Sequence, residues 1–493
     1  MRRYLDTSGE IGNSWLNQIM TAEQLVKNSI WLFGAEATCK LIGLATQIIA
    51  ARYLGDRGYG NYSLAFALSG VFIIFLDTGL SAYLCKQVSC HRTKAVQYLK
   101  GVFGLKKLLA FPIVAILICL VILIPGEREI KVVVCAIGLA LILNGFTDMY
   151  LAVFRAFERM SLVYVLMVVQ RALFFLFGFV ALLMGYRIVP FAILFLLVSV
   201  FSLILAHWNM QRRNQEKEVL TEFEFSKKIM KDCLPVCGIF LFSYVYFRID
   251  VVFIYFMLGE AETGWYNAAF KWLEVLALMV ASIRLALLPA LSRAYAGQDD
   301  QFQGIGREAV RYLLLIGLPL TVGTFTLAPK LVGLLYGDLY VMTVQILQIM
   351  SLGFFLICFN EFAIYLLISA DRYSEVLKIV FAGAVLNMVT NFLVIPKWGI
   401  LGAAAVAGFT ELFLFYMLFN CMNLISERIP IFSLLWKPVL AAGVMGLVLE
   451  QISWPLIPLI LAGGGVYFLV LLLLRAFNEQ DLLVMRNIFH REG

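Results

Sequence analysis

An all-α, polytopic membrane protein is the fold class this sequence predicts, and three observations predict it. Hydrophobic residues make up 62% of the 493-residue chain and charged residues only 14%, with a mean hydropathy of +0.89; a soluble protein of that composition would be covered in apolar patches. Apolar runs of about 20 residues, long enough to cross a bilayer as helix, recur throughout. Two landmark patterns return at nearly constant offset, so the chain reads as two related halves, an organisation typical of membrane transporters.

The apolar runs give fourteen spans, near 28–54, 60–86, 101–124, 131–154, 161–185, 188–209, 233–258, 264–291, 309–336, 341–369, 375–396, 400–425, 434–450 and 455–475. Orientation follows from the basic residues, because cytoplasmic loops carry the excess. With loops assigned to alternate sides, twenty-five Lys and Arg fall on one side and seven on the other. The rich side is read as cytoplasmic, which puts both termini there in the cell membrane. Topology therefore accounts for the net charge of +7 without nucleic acid, and the basic loops also suit anionic lipid headgroups. Residues 1–27 carry Asp6, Glu10 and Glu23 where a cleavable signal would have an apolar core, so none is expected.

The repeat is explicit. Leu54-Gly55-Asp56-Arg57-Gly58-Tyr59-Gly60-Asn61-Tyr62-Ser63-Leu64-Ala65-Phe66 returns 204 residues later as Leu258-Gly259-Glu260-Ala261-Glu262-Thr263-Gly264-Trp265-Tyr266-Asn267-Ala268-Ala269-Phe270. Glu158-Arg159-Met160-Ser161 and Asp371-Arg372-Tyr373-Ser374 repeat at 213. Six spans separate the first pair, so both copies face the same way and the halves are expected to be related by an axis along the membrane normal. The predicted organisation is a cytoplasmic N-terminal segment (1–27), a first six-helix bundle (28–210), a linker (211–232), a second six-helix bundle (233–425), two extra transmembrane helices (426–475) and a cytoplasmic tail (476–493). Gly55, Gly58, Gly60, Gly259 and Gly264 are expected in short turns that need backbone freedom, and Tyr59, Tyr62, Trp265 and Tyr266 as interfacial anchors of helix ends. Gly402, Ala403 and Ala404 read as close helix packing.

Ala51-Arg52-Tyr53-Leu54-Gly55, Tyr59-Gly60 and Tyr62-Ser63-Leu64-Ala65 resemble the opening of polysaccharide flippases (O-antigen/teichoic-acid type) of the multidrug/oligosaccharidyl-lipid/polysaccharide exporter superfamily. Ser369-Ala370-Asp371-Arg372-Tyr373 and Pro396-Lys397-Trp398-Gly399-Ile400-Leu401-Gly402-Ala403-Ala404 resemble the carboxy-terminal half of the same proteins. The resemblance runs from about residue 25 to 425. It implies two six-helix bundles forming a V around a central cavity, lined by the first helix of each.

Charges inside spans are costly unless they face a cavity or a partner. Glu36 and Lys40 lie in the first span, Asp77 in the second, Asp148 in the fourth, Arg171 in the fifth, Arg248 and Asp250 in the seventh, Lys271, Glu274 and Arg284 in the eighth, Glu361 in the tenth and Glu411 in the twelfth. Lys40, Arg248, Arg284, Lys271, Glu274 and Arg171 are the expected substrate-cavity residues: a dehydrated pyrophosphate needs charge-assisted donors. Arg248 and Asp250 lie about 200° apart around a helix, so one of them is expected to pair with another helix. Asp77, Glu361 and Asn360 are candidates for a cation or proton site. Lys106 and Lys107 are expected to snorkel to the cytoplasmic face.

With no phosphate-cradling Gly-rich loop, coupling is expected from an ion gradient or the membrane potential. Three histidines and nine scattered cysteines suggest neither a metal centre nor a redox pair, and no cofactor is expected. The leading reading is a flippase for polyprenyl-pyrophosphate-linked oligosaccharides working by alternating access, partnered by that lipid-linked oligosaccharide, by membrane lipids and by polysaccharide polymerase and assembly machinery. A drug/cation antiporter of the same superfamily is the alternative, disfavoured by the cations, and a lipid II flippase is a neighbouring one. A glycosyltransferase or polymerase is less favoured, because no extracellular connection exceeds about a dozen residues, too few to build a catalytic site.

Overall fold

The computed structural model describes residues 6–77, 79–125, 127–213, 227–277, 301–423 and 431–477. Among these, all regular structure is helical. In lipid every backbone polar group must bond internally, and a helix achieves this within one segment. The helices are α1 (Asp6–Asp77), α2 (Leu80–Cys90), α3 (Ala95–Leu123), α4 (Arg128–Ala156), α5 (Met160–Leu183), α6 (Ile188–Arg213) and α7 (Lys227–Met257). After α8, helical over 260–277, come α9 (Gln301–Leu335), α10 (Val341–Leu352), α11 (Phe354–Ser369), α12 (Tyr373–Met422), α13 (Ile431–Gln451) and α14 (Leu456–Leu473). Bulky side chains such as Phe111, Leu123 and Leu473 stand exposed on them, as surfaces bathed by lipid require.

Ten described helices are long and apolar enough to cross a membrane, or eleven when α10 and α11, bent by 46°, count as one span. Fourteen predicted segments map onto these because two helices each hold a pair. α1 turns at Gly55 (φ 71°, ψ −178°) and α12 at Gly399 (φ 60°, ψ −148°), conformations open almost only to glycine. The remaining predicted span, 264–291, is described only to residue 277.

The chain forms two compact units: unit 1 is Met1–Ile49 with Leu68–Cys237, and unit 2 is Ala50–Ala67 with Gly238–Gly493. Residues 50–67, which the sequence assigns to the first bundle, thus cluster with the second. Unit 1 is built on a core of Leu84, Val102, Met149, Phe154, Val163 and Ala206 from α2 to α6. In unit 2 the two extra helices α13 and α14 cover α9 through Met445, Leu449, Leu327 and Leu331, and Tyr467 donates to the Leu315 carbonyl at 2.9 Å.

The first repeated pattern meets its own copy inside unit 2. A Cβ on Gly60 would run into the carbonyl oxygen of Glu260, and one on Gly264 into that of Asp56. The contact is reciprocal, because Gly60 and Gly264 occupy the same place in the repeat, each four residues after its acid. Close backbone approach, rather than conformational freedom, is what these two glycines supply; positive φ is confined to Gly55 and Gly259 within the two copies. The crossing is fastened from α9 and the following turn. Tyr340 donates to the Ala51 carbonyl at 2.9 Å, Arg52 to that of Leu335 at 2.7 Å, and Trp265 to that of Leu339 at 3.0 Å. Tyr59, Tyr62 and Tyr266 are buried here rather than exposed as interfacial anchors would be, since the crossing helices cover them.

The second repeated pattern forms the same turn twice. Glu158 (φ 59°) and Asp371 (φ 56°) are left-handed, each just past a helix C-terminus. Arg159 and Arg372 then donate back to Phe154 and Leu367 carbonyls, both at 2.9 Å, the six-to-one bond of a Schellman cap.

Candidate functional site

Unit 2 holds a cationic cluster where α7 faces α8. Arg248 lies near the middle of the Cys237–Met257 span. Asn267, Phe270, Lys271 and Glu274 recur on α8 at three- and four-residue spacing, which puts them on one face. Arg248 Nη2 donates to Glu274 Oε1 at 3.0 Å and Lys271 Nζ to Glu274 Oε2 at 2.5 Å. Arg248 Nη1 also reaches Asn267 Oδ1 at 3.3 Å, and the guanidinium lies 4.8 Å from the Phe270 ring centroid. One turn back, Tyr244 donates to the Phe66 carbonyl at 2.8 Å, tying α7 to the start of the second span.

Asp250 points elsewhere on α7, as the angular separation requires. It is 3% exposed and accepts from Tyr266 at 2.5 Å and from Asn391 Nδ2 at 2.6 Å. Asn391 also donates to Asn387 Oδ1 at 3.0 Å, and Asn387 to Thr410 Oγ1 at 3.2 Å. On α11, Asn360 donates to the Glu411 side chain at 2.8 Å and backbone at 2.9 Å; Glu411 is 4% exposed. Asp250, Asn387 and Glu411 border one cavity with Tyr246, Phe247 and Phe270. The side-chain oxygens Asn391 Oδ1 and Asn360 Oδ1 are buried without a hydrogen-bond partner. Buried acceptors left unpaired beside carboxylates fit a hard cation with oxygen ligands. Among the described residues no three His, Cys, Asp or Glu side chains converge as a metal site.

In unit 1, Lys106 is 0% exposed. Its ammonium donates to Asp77 at 2.6 Å, to the Gly145 carbonyl at 2.8 Å and to Ser81 at 3.2 Å, and Ser81 donates to Asp77. This corrects the snorkelling expected for Lys106; Lys107, one residue on, is exposed. A helix carries successive residues about 100° apart, and the step from 106 to 107 moves from the bundle interior to its surface.

The remaining predicted site residues are scattered. Lys40 and Arg171 are exposed on unit 1, Glu361 is half-buried on α11, and Arg284 lies outside the described residues. The structure thus joins Arg248, Lys271 and Glu274; Asp77 belongs to unit 1 and Asn360 with Glu361 to unit 2. Asn387, Asn391 and Thr410 escaped the sequence reading, although two amides four apart in an apolar run are a usable signal.

Comparison with known proteins agrees with this architecture. Residues 25–295 match the family described as polysaccharide biosynthesis protein, and residues 235–393 match MatE. An uncharacterized membrane protein of Methanocaldococcus jannaschii is 24% identical over 262 residues, which are 52% of this chain and 51% of that protein; the match to that relative spans about half its length. A putative O-antigen transporter of Shigella flexneri is 24% identical over 77% of this chain and 93% of its own. The lipid II flippase MurJ in an inward closed conformation superposes with a TM-score of 0.70 at 14% identity, covering 93% of this chain and 100% of that one, a likeness of fold. The multi-pass, all-helical chain belongs to the polysaccharide biosynthesis protein family, whose match takes in more than half of its length.

Proposed function

We propose that the protein is a flippase that carries a polyprenyl-pyrophosphate-linked oligosaccharide across the cytoplasmic membrane by alternating access, for cell-surface polysaccharide synthesis. The observation that carries this reading is the pair of cations, Arg248 and Lys271, set on facing helices within the span of a chain from this family. A diphosphate stripped of water needs charge-assisted donors, and the Arg248 fork can offer two at once. Phe270 and Asn267 hold that fork in place. Lys40 and Arg171 are the further cations this reading assigns to the headgroup path, with Arg284. The O-antigen transporter among the relatives supports a glycan-bearing substrate.

The coupling ion in this reading is a monovalent cation taken up by unit 2. Asp250, Asn391 and Asn387 would hold it, with Thr410 supporting Asn387, and the unpartnered Asn391 oxygen is the fit. Such an ion supplies charge compensation for Asp250, and its gradient supplies the driving force. The excess of basic residues on one side supports cytoplasmic termini. Polymerases acting on the flipped product are the natural partners, and the protein itself performs no bond chemistry. A drug/cation antiporter is the second reading, favoured by the MatE match and the buried acids but opposed by Arg248 and Lys271.

The test is reconstitution in vesicles with a fluorescent polyprenyl-pyrophosphate oligosaccharide. Wild type is expected to expose the headgroup on the far side, with Lys40→Ala and Arg248→Ala slowed by about tenfold or more. A well-folded wild type that moves an organic cation and no lipid-linked sugar would place the protein with the antiporters.

A further inference from the structure

Among the described residues, the α7–α8 cluster is arranged around the Glu274 carboxylate. Glu274 presents a separate oxygen to each cation, Oε1 to Arg248 at 3.0 Å and Oε2 to Lys271 at 2.5 Å. The two cations are recessed, with side chains 17% and 19% exposed, while Glu274 is 44% exposed. An anion therefore stands on the open side of two positive groups that the helices hold back. Arg248 is held independently of it, by Asn267 and by the Phe270 ring, so the guanidinium keeps its place when Glu274 moves.

We propose that Glu274 is a resident counter-ion that occupies the place of a substrate phosphate, and that a diphosphate headgroup binds by displacing it. The inference rests on the cationic site under Proposed function and adds a competitor to it. A half-exposed carboxylate on flexible bonds forms pairs of small net value, whereas a diphosphate brings more charge and more oxygens to the same donors. The exchange has three consequences. The cations stay neutralised when no substrate is bound, so the empty site need not hold two like charges side by side. Affinity is lowered to a level from which product can leave, because Glu274 competes for the donors as the headgroup departs. Discrimination between anions is left to the cations themselves, because a competitor that must leave for every ligand lowers every affinity by the same factor.

The experiment measures binding of inorganic pyrophosphate and of inorganic phosphate by calorimetry to the full chain in lipid nanodiscs. It compares wild type, Glu274→Gln, Glu274→Ala as a second variant, and Arg248→Ala, each checked for folding by its thermal midpoint. Removing the competitor is expected to tighten pyrophosphate binding by about tenfold in both Glu274 variants, and phosphate binding by a similar factor. Arg248→Ala should abolish binding. Unchanged or weaker binding in the Glu274 variants, alongside Arg248-dependent binding in wild type, overturns the displacement while leaving the cationic site standing. Binding by none of the proteins overturns the cationic site itself, and the displacement with it.

Discussion

Each compact unit takes a carboxylate into the membrane-spanning region, and the two units neutralise it differently. Asp77 of unit 1 meets an ammonium of the same chain, since Lys106 reaches it from α3 at 2.6 Å and spends its other hydrogens on Ser81 and the Gly145 carbonyl. Asp250 and Glu411 of unit 2 are buried more deeply, yet their hydrogen bonds come from a tyrosine and two asparagines. Amide and hydroxyl dipoles soften the cost of a buried charge without cancelling it. The Asp77–Lys106 pair of unit 1 is thus closed within the chain, whereas in the proposed reading the Asp250 site of unit 2 is neutralised by a monovalent cation from outside. On that proposal the two units differ in whether the positive charge beside a buried carboxylate is fixed or exchangeable, and only an exchangeable one can respond to an ion gradient.

The largest expected effect comes from opening unit 1. Lys106→Met leaves Asp77 facing the Gly145 carbonyl without its ammonium, and breaking a buried pair by removing one partner typically costs about 3–5 kcal/mol. The loss should sit at the low end, about 3 kcal/mol, because the Asp77 side chain is 32% exposed and water reaches the stranded charge. Thermal unfolding in detergent checks it, and Lys106→Met combined with Asp77→Leu should recover most of the loss. A single variant that melts with wild type would mean that unit 1 is not closed by this pair.

Unit 2 should respond to what is in the solvent. If a monovalent cation binds at Asp250, adding it at about a hundredfold over its dissociation constant stabilises the folded protein by about 2.7 kcal/mol. Asp250→Asn, which keeps the shape and removes the charge, should abolish that increment while raising the ion-free midpoint. Scanning sodium, potassium and lithium salts against choline, at constant ionic strength, separates binding from screening. Equal midpoints in every salt for wild type would erase the contrast between the units.

What the sequence discloses and what it withholds divide along physical lines. Covalent neighbours and composition are local, so the spans, the two-half organisation and both repeats are legible in the order of residues alone. The repeats even mark matching geometry: Gly60 and Gly264 meet reciprocally, and Glu158 and Asp371 share one left-handed turn. The divergence of Arg248 from Asp250 follows from helical pitch alone. Helix rotation and inter-helix partners are not local. Lys106 therefore reads as a residue close enough to the helix end to reach water, when its rotation turns it onto Asp77. Tyr59, Tyr62 and Tyr266 read as interfacial for the same reason, and the helix crossing buries them. Asn387, Asn391 and Thr410 carry no charge, so the two amides four apart are the only hint of them in the sequence, and their link to Asp250 exists only once α7 meets α12.

The smallest effect gives the sharpest contrast, because it deletes one hydroxyl from each side of the comparison. Ser81 sits between Lys106 and Asp77, and Thr410 accepts from Asn387 at the end of the Asp250 network. Ser81→Ala and Thr410→Val should each cost about 1 kcal/mol, the net value of an ordinary buried hydrogen bond. Their ion dependence should differ. In unit 1 the cation is tethered by a covalent stem, so Ser81→Ala lowers the midpoint equally in every salt. In unit 2 the hydroxyl supports the amides that would bind the ion, and Thr410→Val should raise the salt concentration needed for half the stabilisation by about fivefold, the factor to which 1 kcal/mol corresponds. If Ser81→Ala shifts the ion dependence as well, unit 1 responds to the ion in its own right and Lys106 is not a fixed substitute for it.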